Sequence, residues 1–338
     1  MSRGRSVSFI VPDGVDDVER VSGGNIYDRR VRDGLRRRGW DVRMSEASDA
    51  AGVATALASV ERGGVALVDG LVAGWAPEAL TATAQTARIV VVAHMVAASF
   101  AGATPELIMG ERLALLHAEG VIATSGWAAA ELVRHGLVDR ARIDVVVPGS
   151  RDSLGAVDPA DNGDLLCVGV VAPHKGQDLL LEALGRLQEH DWTCTVAGSH
   201  AVAPDFAAGV VSAASRLGAR VRITGVLDES AIDVAYQRAG VLVAPSRAES
   251  FGMAIADARR CGLPIIATAV DGIPDTVIGG GAILVPREDP VALADALRGW
   301  MTDPALRARL RVEAAGARPR APRWDDTVAR FDELLASR

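Results

Sequence analysis

Short apolar runs rich in Val, Ile and Ala recur along the whole chain, separated by helical-looking segments, and no other feature restricts the fold as much. In the first half they fall at residues 7–11, 65–68, 89–93, 121–123 and 143–147, with one more near Val42. In the second half they fall at 165–168, 194–197, 221–224, 241–244, 265–267 and 283–285. A run that is apolar without alternation is covered on both faces, which is the condition of a parallel sheet flanked by helices. At 338 residues and 49% hydrophobic content the chain exceeds what one core normally supports. The pattern predicts an α/β protein of two Rossmann-like domains facing a cleft. We place the first domain at 1–150 and the second at 151–318. Segment 319–338 is expected to form a helix that packs on another element, because Val328, Phe331, Leu334 and Leu335 share one helical face. The polar stretch 148–163, with Pro148, Gly149 and Gly163, reads as the linker.

Composition removes several function classes. A net charge of −7 and the lack of a basic stripe interleaved with aromatics argue against nucleic acid as a partner. Cys167, Cys194 and Cys261 are odd in number and lie in or beside apolar runs, which suggests reduced, buried thiols and a cytoplasmic protein. No Cys or His spacing suggests a metal site. Arg3 and Arg5 precede an apolar run too short for a secretion signal, and 89–103 is too short to span a bilayer. Arg29, Arg30, Arg32, Arg36, Arg37 and Arg38 cluster on an early helix whose apolar face is Tyr27, Val31 and Leu35. A peripheral membrane contact through these arginines is not favoured, since Asp28 and Asp33 interrupt them and no apolar anchor flanks them.

Four stretches at strand-to-helix junctions attract attention. Pro245-Ser-Arg-Ala-Glu249-Ser-Phe-Gly252-Met253 follows an apolar run and leads into an Ala-rich helix. Gly252 permits close backbone approach, and the first free N–H groups of the helix suit phosphate or sugar oxygens. Glu249 on the loop and Asp257 one turn inside the helix are acceptors for a hydroxyl-rich ligand; alternatively Glu249 caps the helix and Asp257 is a solvated acid. Lys175, in Gly169-Val-Val-Ala-Pro-His174-Lys175-Gly176, is the only lysine among 36 basic residues. A compact ammonium at a helix start fits between phosphate oxygens where a guanidinium does not. Gly23-Gly24 and His94 each lie beyond an apolar run, where α/β proteins place ligands, though a plain turn and a satisfied strand-end histidine explain them equally.

These stretches, together with Gly225-Val, Cys261-Gly-Leu-Pro264 and Asp271-Gly-Ile-Pro274-Asp275, resemble in order and spacing the nucleotide-sugar glycosyltransferases of family four, which have the GT-B fold. The resemblance covers most of 164–300 and is looser before it; the GT-B fold it implies carries the helix of 319–338 back to the first domain. It implies retaining, metal-independent transfer of a sugar from a UDP- or GDP-linked donor to a hydroxyl acceptor, with the nucleotide sugar as co-substrate and no cofactor. It also implies that Lys175 contacts the diphosphate, Glu249 the transferred sugar, and Ser250, Phe251, Gly252 and Met253 the sugar and phosphates by backbone. Asp257 would hold the ribose, Leu227 would lie by the base, and Gly23, Gly24 and His94 would serve the phosphate and sugar from the first domain. The family commonly has Glu where Asp257 stands and Arg where Val170 stands. The latter motivates a second expectation, a nucleotide-sugar-binding protein with little turnover. Arg247, two residues before Glu249, is the first candidate to supply the missing charge, the alternative being a solvated loop residue, which the sequence favours.

Overall fold

The computed structural model describes residues 5–100, 102–157 and 164–337; Arg3 and the linker residues 158–163 lie outside them. Every apolar run of the sequence forms a strand. In the first half these are β1 (Ser6–Pro12), β2 (Asp41–Ala47), β3 (Val65–Asp69), β4 (Arg88–Ala93), β5 (Gly120–Ala123) and β6 (Ile143–Val145). In the second they are β7 (Asp164–Val168), β8 (Thr193–Ala197), β9 (Val221–Gly225), β10 (Val241–Ala244), β11 (Ile265–Thr268) and β12 (Ala282–Val285). They build two six-stranded sheets, ordered β2-β1-β3-β4-β5-β6 and β12-β11-β10-β7-β8-β9. All pairings are parallel, as between Val91 and Val121 or Leu242 and Ile265.

The chain divides into two compact units. The first comprises Met1–Asp17, Gly24–Pro148 and Trp324–Arg338, and the second Val18–Gly23 and Gly149–Arg323. The short turn Arg318–Arg320 groups with the second unit, where Arg318 Nε donates to the Arg260 carbonyl at 3.0 Å.

In the first unit the helix Gly23–Arg37 buries Tyr27, Val31 and Leu35, the spacing-of-four face of the sequence. The C-terminal helix Trp324–Ser337 packs on it with Val328, Phe331, Leu334 and Leu335 buried. The Tyr27 ring meets Trp324 and Phe331 edge-on, with centroids 5.9 Å away in both cases. Thr327 Oγ1 donates to the Val147 carbonyl at 2.8 Å, and Trp40 Nε1 to Asp332 Oδ1 at 2.9 Å. The basic cluster on the early helix is largely engaged within the unit. Arg32 pairs with Asp16 and Asp33, Arg36 donates to the Val42 carbonyl, and Arg38 reaches Asp332. That leaves less free charge for a membrane surface than the sequence suggests. Among the described residues no helix is long and apolar enough to cross a membrane, and the three cysteines are free and buried.

The two helices approach so closely that a Cβ on Gly34 would lie 2.3 Å from Val328 Cγ2. Alanine in a helix gains about 0.5–1 kcal/mol over glycine, whereas overpacking costs about 1–3 kcal/mol, so the overlap wins. Gly34→Ala is expected to lower stability in urea denaturation, and adding Val328→Ala to recover part of the loss. A Gly34→Ala protein as stable as wild type would show that the contact is not tight.

Candidate active site

In a parallel sheet the loops that can hold a ligand cluster at the carboxyl ends of the strands, above all where the strand order reverses. In the second sheet the chain runs from β7 outward through β8 and β9, then returns to β10 on the other side of β7. The reversal therefore falls between β7 and β10, and the loops that follow these two strands carry Lys175 and Glu249.

The two loops are stitched together by backbone. Arg247 N donates to the His174 carbonyl at 2.7 Å and Ala248 N to the same oxygen at 3.2 Å. Gly176 adopts φ +68°, and a Cβ there would lie 2.1 Å from the Pro245 carbonyl oxygen, so only glycine lets the loops meet. The Lys175 side chain passes over Gly169 and its Nζ pairs with Glu249 Oε2. From the next strand, β11, Asp271 Oδ2 accepts the Glu249 N–H at 2.9 Å and Gly272 N donates to the Glu249 carbonyl at 3.0 Å. Burial and the neighbouring ammonium outweigh Glu249 and push the His174 imidazole down to about 4, leaving it neutral. Helices begin directly after both loops, Gln177–Gly185 behind Gly176 and Met253–Cys261 behind Gly252, and neither start is capped by a side chain. Their first N–H groups remain available to an anion. Ser250, Phe251 and Met253 lie on this loop and helix start, with Ser250 buried and the Phe251 carbonyl held by Thr276 Oγ1.

Three sequence readings change here. Glu249 does not cap the helix; Gly252, at φ +88°, occupies that position. Arg247 is engaged rather than solvated: it forms a two-pronged pair with Asp178 at 2.8 Å, reaches Glu288 at 2.7 Å, and donates to the Pro173 carbonyl. It is a brace between loops. Val170 is buried, so its position offers no charge. Asp257 accepts the Arg151 N–H at 2.8 Å, while Arg151 Nε pairs with Asp233 at 3.0 Å. Glu249 and Asp257 therefore serve different partners. Leu227 lies beyond β9, half-buried against a cluster that includes Tyr236 and Leu242.

The first unit has its own constellation at the reversal between β1 and β3. Gly24 lies at the start of the helix after β1, and His94 follows β4. A Cβ on Gly24 would lie 3.6 Å from His94 Cδ2, so the backbone passes close beneath the ring. His94 Nε2 lies 3.0 Å from Asp28 Oδ1 and 3.6 Å from Asp69 Oδ2. Gly23 opens the same helix but groups with the second unit. Asp28, Asp69 and His94 bring three ligand-type atoms within 4.8 Å of one another. The imidazole, once protonated, itself supplies a cation between the two carboxylates.

Sequence reasoning did not single out Asp28, Asp69, Arg151 or Asp271. Asp28 read as an interruption among arginines; its place beside Tyr27, at the edge of the apolar face, was the available signal. Asp69 ends a strand at the edge where ligands bind, and Asp271 lies in a recognised motif.

The fold matches solved glycosyltransferases. A sucrose-phosphate synthase from Thermosynechococcus elongatus superposes with a TM-score of 0.82 at 22% identity, covering 98% of both chains. Anabaena HepE in complex with UDP-glucose superposes at 0.78 and 18% identity, covering 98% of this chain and 100% of the other. Residues 156–316 match the family described as glycosyl transferases group 1. A D-inositol 3-phosphate glycosyltransferase of Xylanimonas cellulosilytica is 31% identical over 253 residues, 68% of this chain and 59% of that protein. Its counterpart in Mycolicibacterium paratuberculosis is 33% identical over 253 residues, 69% and 55% respectively. The chain thus spans less than two thirds of these relatives' length. Two parallel Rossmann-like units define the GT-B class. Residues 156–316 thus form a domain of the kind described as glycosyl transferases group 1.

The stitched loops make a measurable demand on Gly176. Gly225 has nearly the same backbone, φ +69°, but a Cβ there meets nothing within 4 Å. Gly225→Ala is expected to cost only the left-handed strain of about 1–2 kcal/mol, and Gly176→Ala a further ~1–3 kcal/mol from the carbonyl overlap. Chemical denaturation of both variants decides it, and equal losses would contradict the close approach.

Proposed function

We propose that the chain transfers a sugar from a nucleotide diphosphate sugar to a hydroxyl acceptor, with retention and without a metal. The observation that carries this reading is the Lys175–Glu249 pair between two uncapped helix starts at the strand-order reversal of the second sheet. The domain match over residues 156–316 and the relatives' names support the reaction class. The neighbour solved with UDP-glucose favours a UDP-linked donor, with GDP as the other choice.

Cleavage of the bond from the anomeric carbon to the diphosphate leaves its electron pair on a phosphate oxygen. Lys175 and the N–H groups at the two helix starts are donors fixed where that charge develops, and fixed donors favour the transition state over the ground state. Glu249, freed from Lys175 by the incoming phosphate, accepts from hydroxyls of the transferred sugar. The acceptor oxygen bonds to the anomeric carbon on the face the phosphate leaves, and its proton passes to the departing phosphate oxygen. That route needs no protein nucleophile and retains configuration. Asp257 and Leu227 are assigned to the ribose and base, Ser250 to Met253 to phosphate and sugar by backbone, and Gly23, Gly24 and His94 to the phosphate and sugar. A second reading, donor binding with little turnover, is favoured by one observation. With Val170 buried and Arg247 committed to Asp178 and Glu288, Lys175 has no arginine helper from either position.

A donor that binds only the folded chain stabilises it by about 2.7 kcal/mol at a hundred times its Kd. Screening UDP-, GDP- and ADP-hexoses by thermal melting is expected to find a stabilising UDP- or GDP-sugar, and a sugar-acceptor panel to show transfer from it. Stabilisation without transfer or donor hydrolysis would select the second reading, and no stabilisation would refute both.

Lys175→Ala is expected to lower single-turnover transfer at saturating donor by roughly 10²–10³, the usual loss on removing one fixed donor. Lys175→Arg is expected to rescue it poorly. Transfer by Lys175→Ala at the wild-type rate would remove the lysine from the mechanism.

A further inference from the structure

We propose that Asp28 and Asp69 are positioning residues for His94: from two separate elements they grip its Nε2 edge and present the ring as a fixed imidazolium, whose Nδ1–H donates to a ligand hydroxyl, rather than as a general base. The inference rests on the glycosyltransferase reading only for the nature of that ligand. The grip itself is a property of the first unit.

The geometry is one-sided. Asp28 comes from the helix Gly23–Arg37 and is fully buried; Asp69 ends β3 and is 5% exposed. Both carboxylates face the same ring nitrogen, at 3.0 and 3.6 Å. Asp69 is itself fixed by the Leu71 N–H at 2.6 Å. Asp28 Oδ2 is buried without a hydrogen-bond partner. Two buried carboxylates at one imidazole edge repel each other strongly unless a cation lies between them, and protonating the ring supplies it.

The remaining neighbours do not compete. Tyr27 packs edge-on against the ring with centroids 5.1 Å apart, but its hydroxyl donates to the Val146 carbonyl at 2.8 Å, and burial keeps the phenol neutral. From the segment after β5, Thr124 Oγ1 addresses only the His94 carbonyl and its neighbour, at 3.4 Å. Among the described residues Nδ1 makes no hydrogen bond, while the side chain keeps 16% of its surface exposed.

Burial alone would lower the affinity of His94 for its proton, but Asp28 and then Asp69 outweigh it and push the imidazole up to about 9. Burial raises Asp69 to about 7; the His94 charge opposes that shift and Asp28 adds to it. Above about 7 the Asp69 carboxylate is charged and its hold on the ring is tightest. A general base must shed its proton near working pH, which this arrangement resists.

The test is a titration of the full chain labelled with 15N-histidine, with His94 assigned by its loss in His94→Gln. Both ring nitrogens are expected to carry protons through pH 8 and to titrate near 9. In Asp28→Asn and Asp69→Asn the transition is expected to move down toward the ordinary histidine value of about 6.5. A wild-type His94 that titrates at or below 6.5, or an Nε2 without a proton at pH 7, would overturn the proposal. So would carboxamide variants that leave the titration unmoved. Should Asp28→Asn fail to fold, Asp69→Asn decides, because asparagine still accepts from Leu71. These readouts need no transfer activity, so their failure is separable from failure of the proposed function. Where transfer is measurable, Asp69→Asn is expected to shift the alkaline fall of kcat to lower pH, whereas a merely structural loss would lower kcat at every pH.

Discussion

The parallel pairing of β10 with β7, Val241 beside Leu165, is the constraint on which the second unit's chemistry depends. Side-by-side parallel strands end at the same edge, so the loops behind them must leave together, and strand order alone makes residues 74 positions apart neighbours. What remains is to hold two irregular loops still. Backbone does most of this, through the His174 carbonyl accepting from Arg247 and Ala248 and the Glu249 carbonyl accepting from Gly272, while the Glu249 N–H rests on the Asp271 carboxylate. Backbone bonds fix loop position whatever side chains are present. Lys175 and Glu249 are thereby left to vary their partners without loss of the scaffold.

The first unit solves a different problem, which is how to tolerate buried charge. A carboxylate as buried as Asp28 is strongly destabilising unless partnered. Its position is set from outside the constellation. The helix that carries it is clamped by the C-terminal helix, which meets Tyr27 with Trp324 and Phe331 and sets Val328 against Gly34. Tyr27 is the hinge of the arrangement, with one ring edge against the returning helix and another against His94. A stretch about 300 residues away in sequence thus helps to fix the orientation of a site residue.

Most of the architecture was legible because β-branched apolar runs have few alternatives. Every such run became a strand, and the returning helix was visible in the spacing of Val328, Phe331, Leu334 and Leu335. Gly176 and Gly252 were legible for a related reason, since both adopt positive φ at a strand-to-helix junction. What stayed hidden were partners fixed only by the tertiary fold. Asp28 and Asp69 lie 66 and 25 residues before His94, and their local signals, the edge of an apolar face and the end of a strand, do not point to each other or to His94. The engagement of Arg247 was hidden for the same reason: its partners Asp178 and Glu288 lie at a helix start and in another loop, and nothing near it in sequence announces them.

Charge balance in the second unit carries one further step. With Lys175 held by Glu249, the two loops present no net charge from that pair to an incoming anion. Val170 adds none, and Arg247 is matched by two acids. Under the proposed function, attraction for a diphosphate depends on exchange: the phosphate would replace Glu249 at the ammonium while the helix starts at Gln177 and Met253 would supply the remaining donors. Each helix start contributes roughly half a positive charge, acting mainly within its first turn. Two such ends beside one ammonium approximate the charge of a lysine and an arginine, provided the loops bring them close. Gly176 makes that approach possible, which is a physical reason for the site to tolerate valine where the family resemblance leads one to expect an arginine.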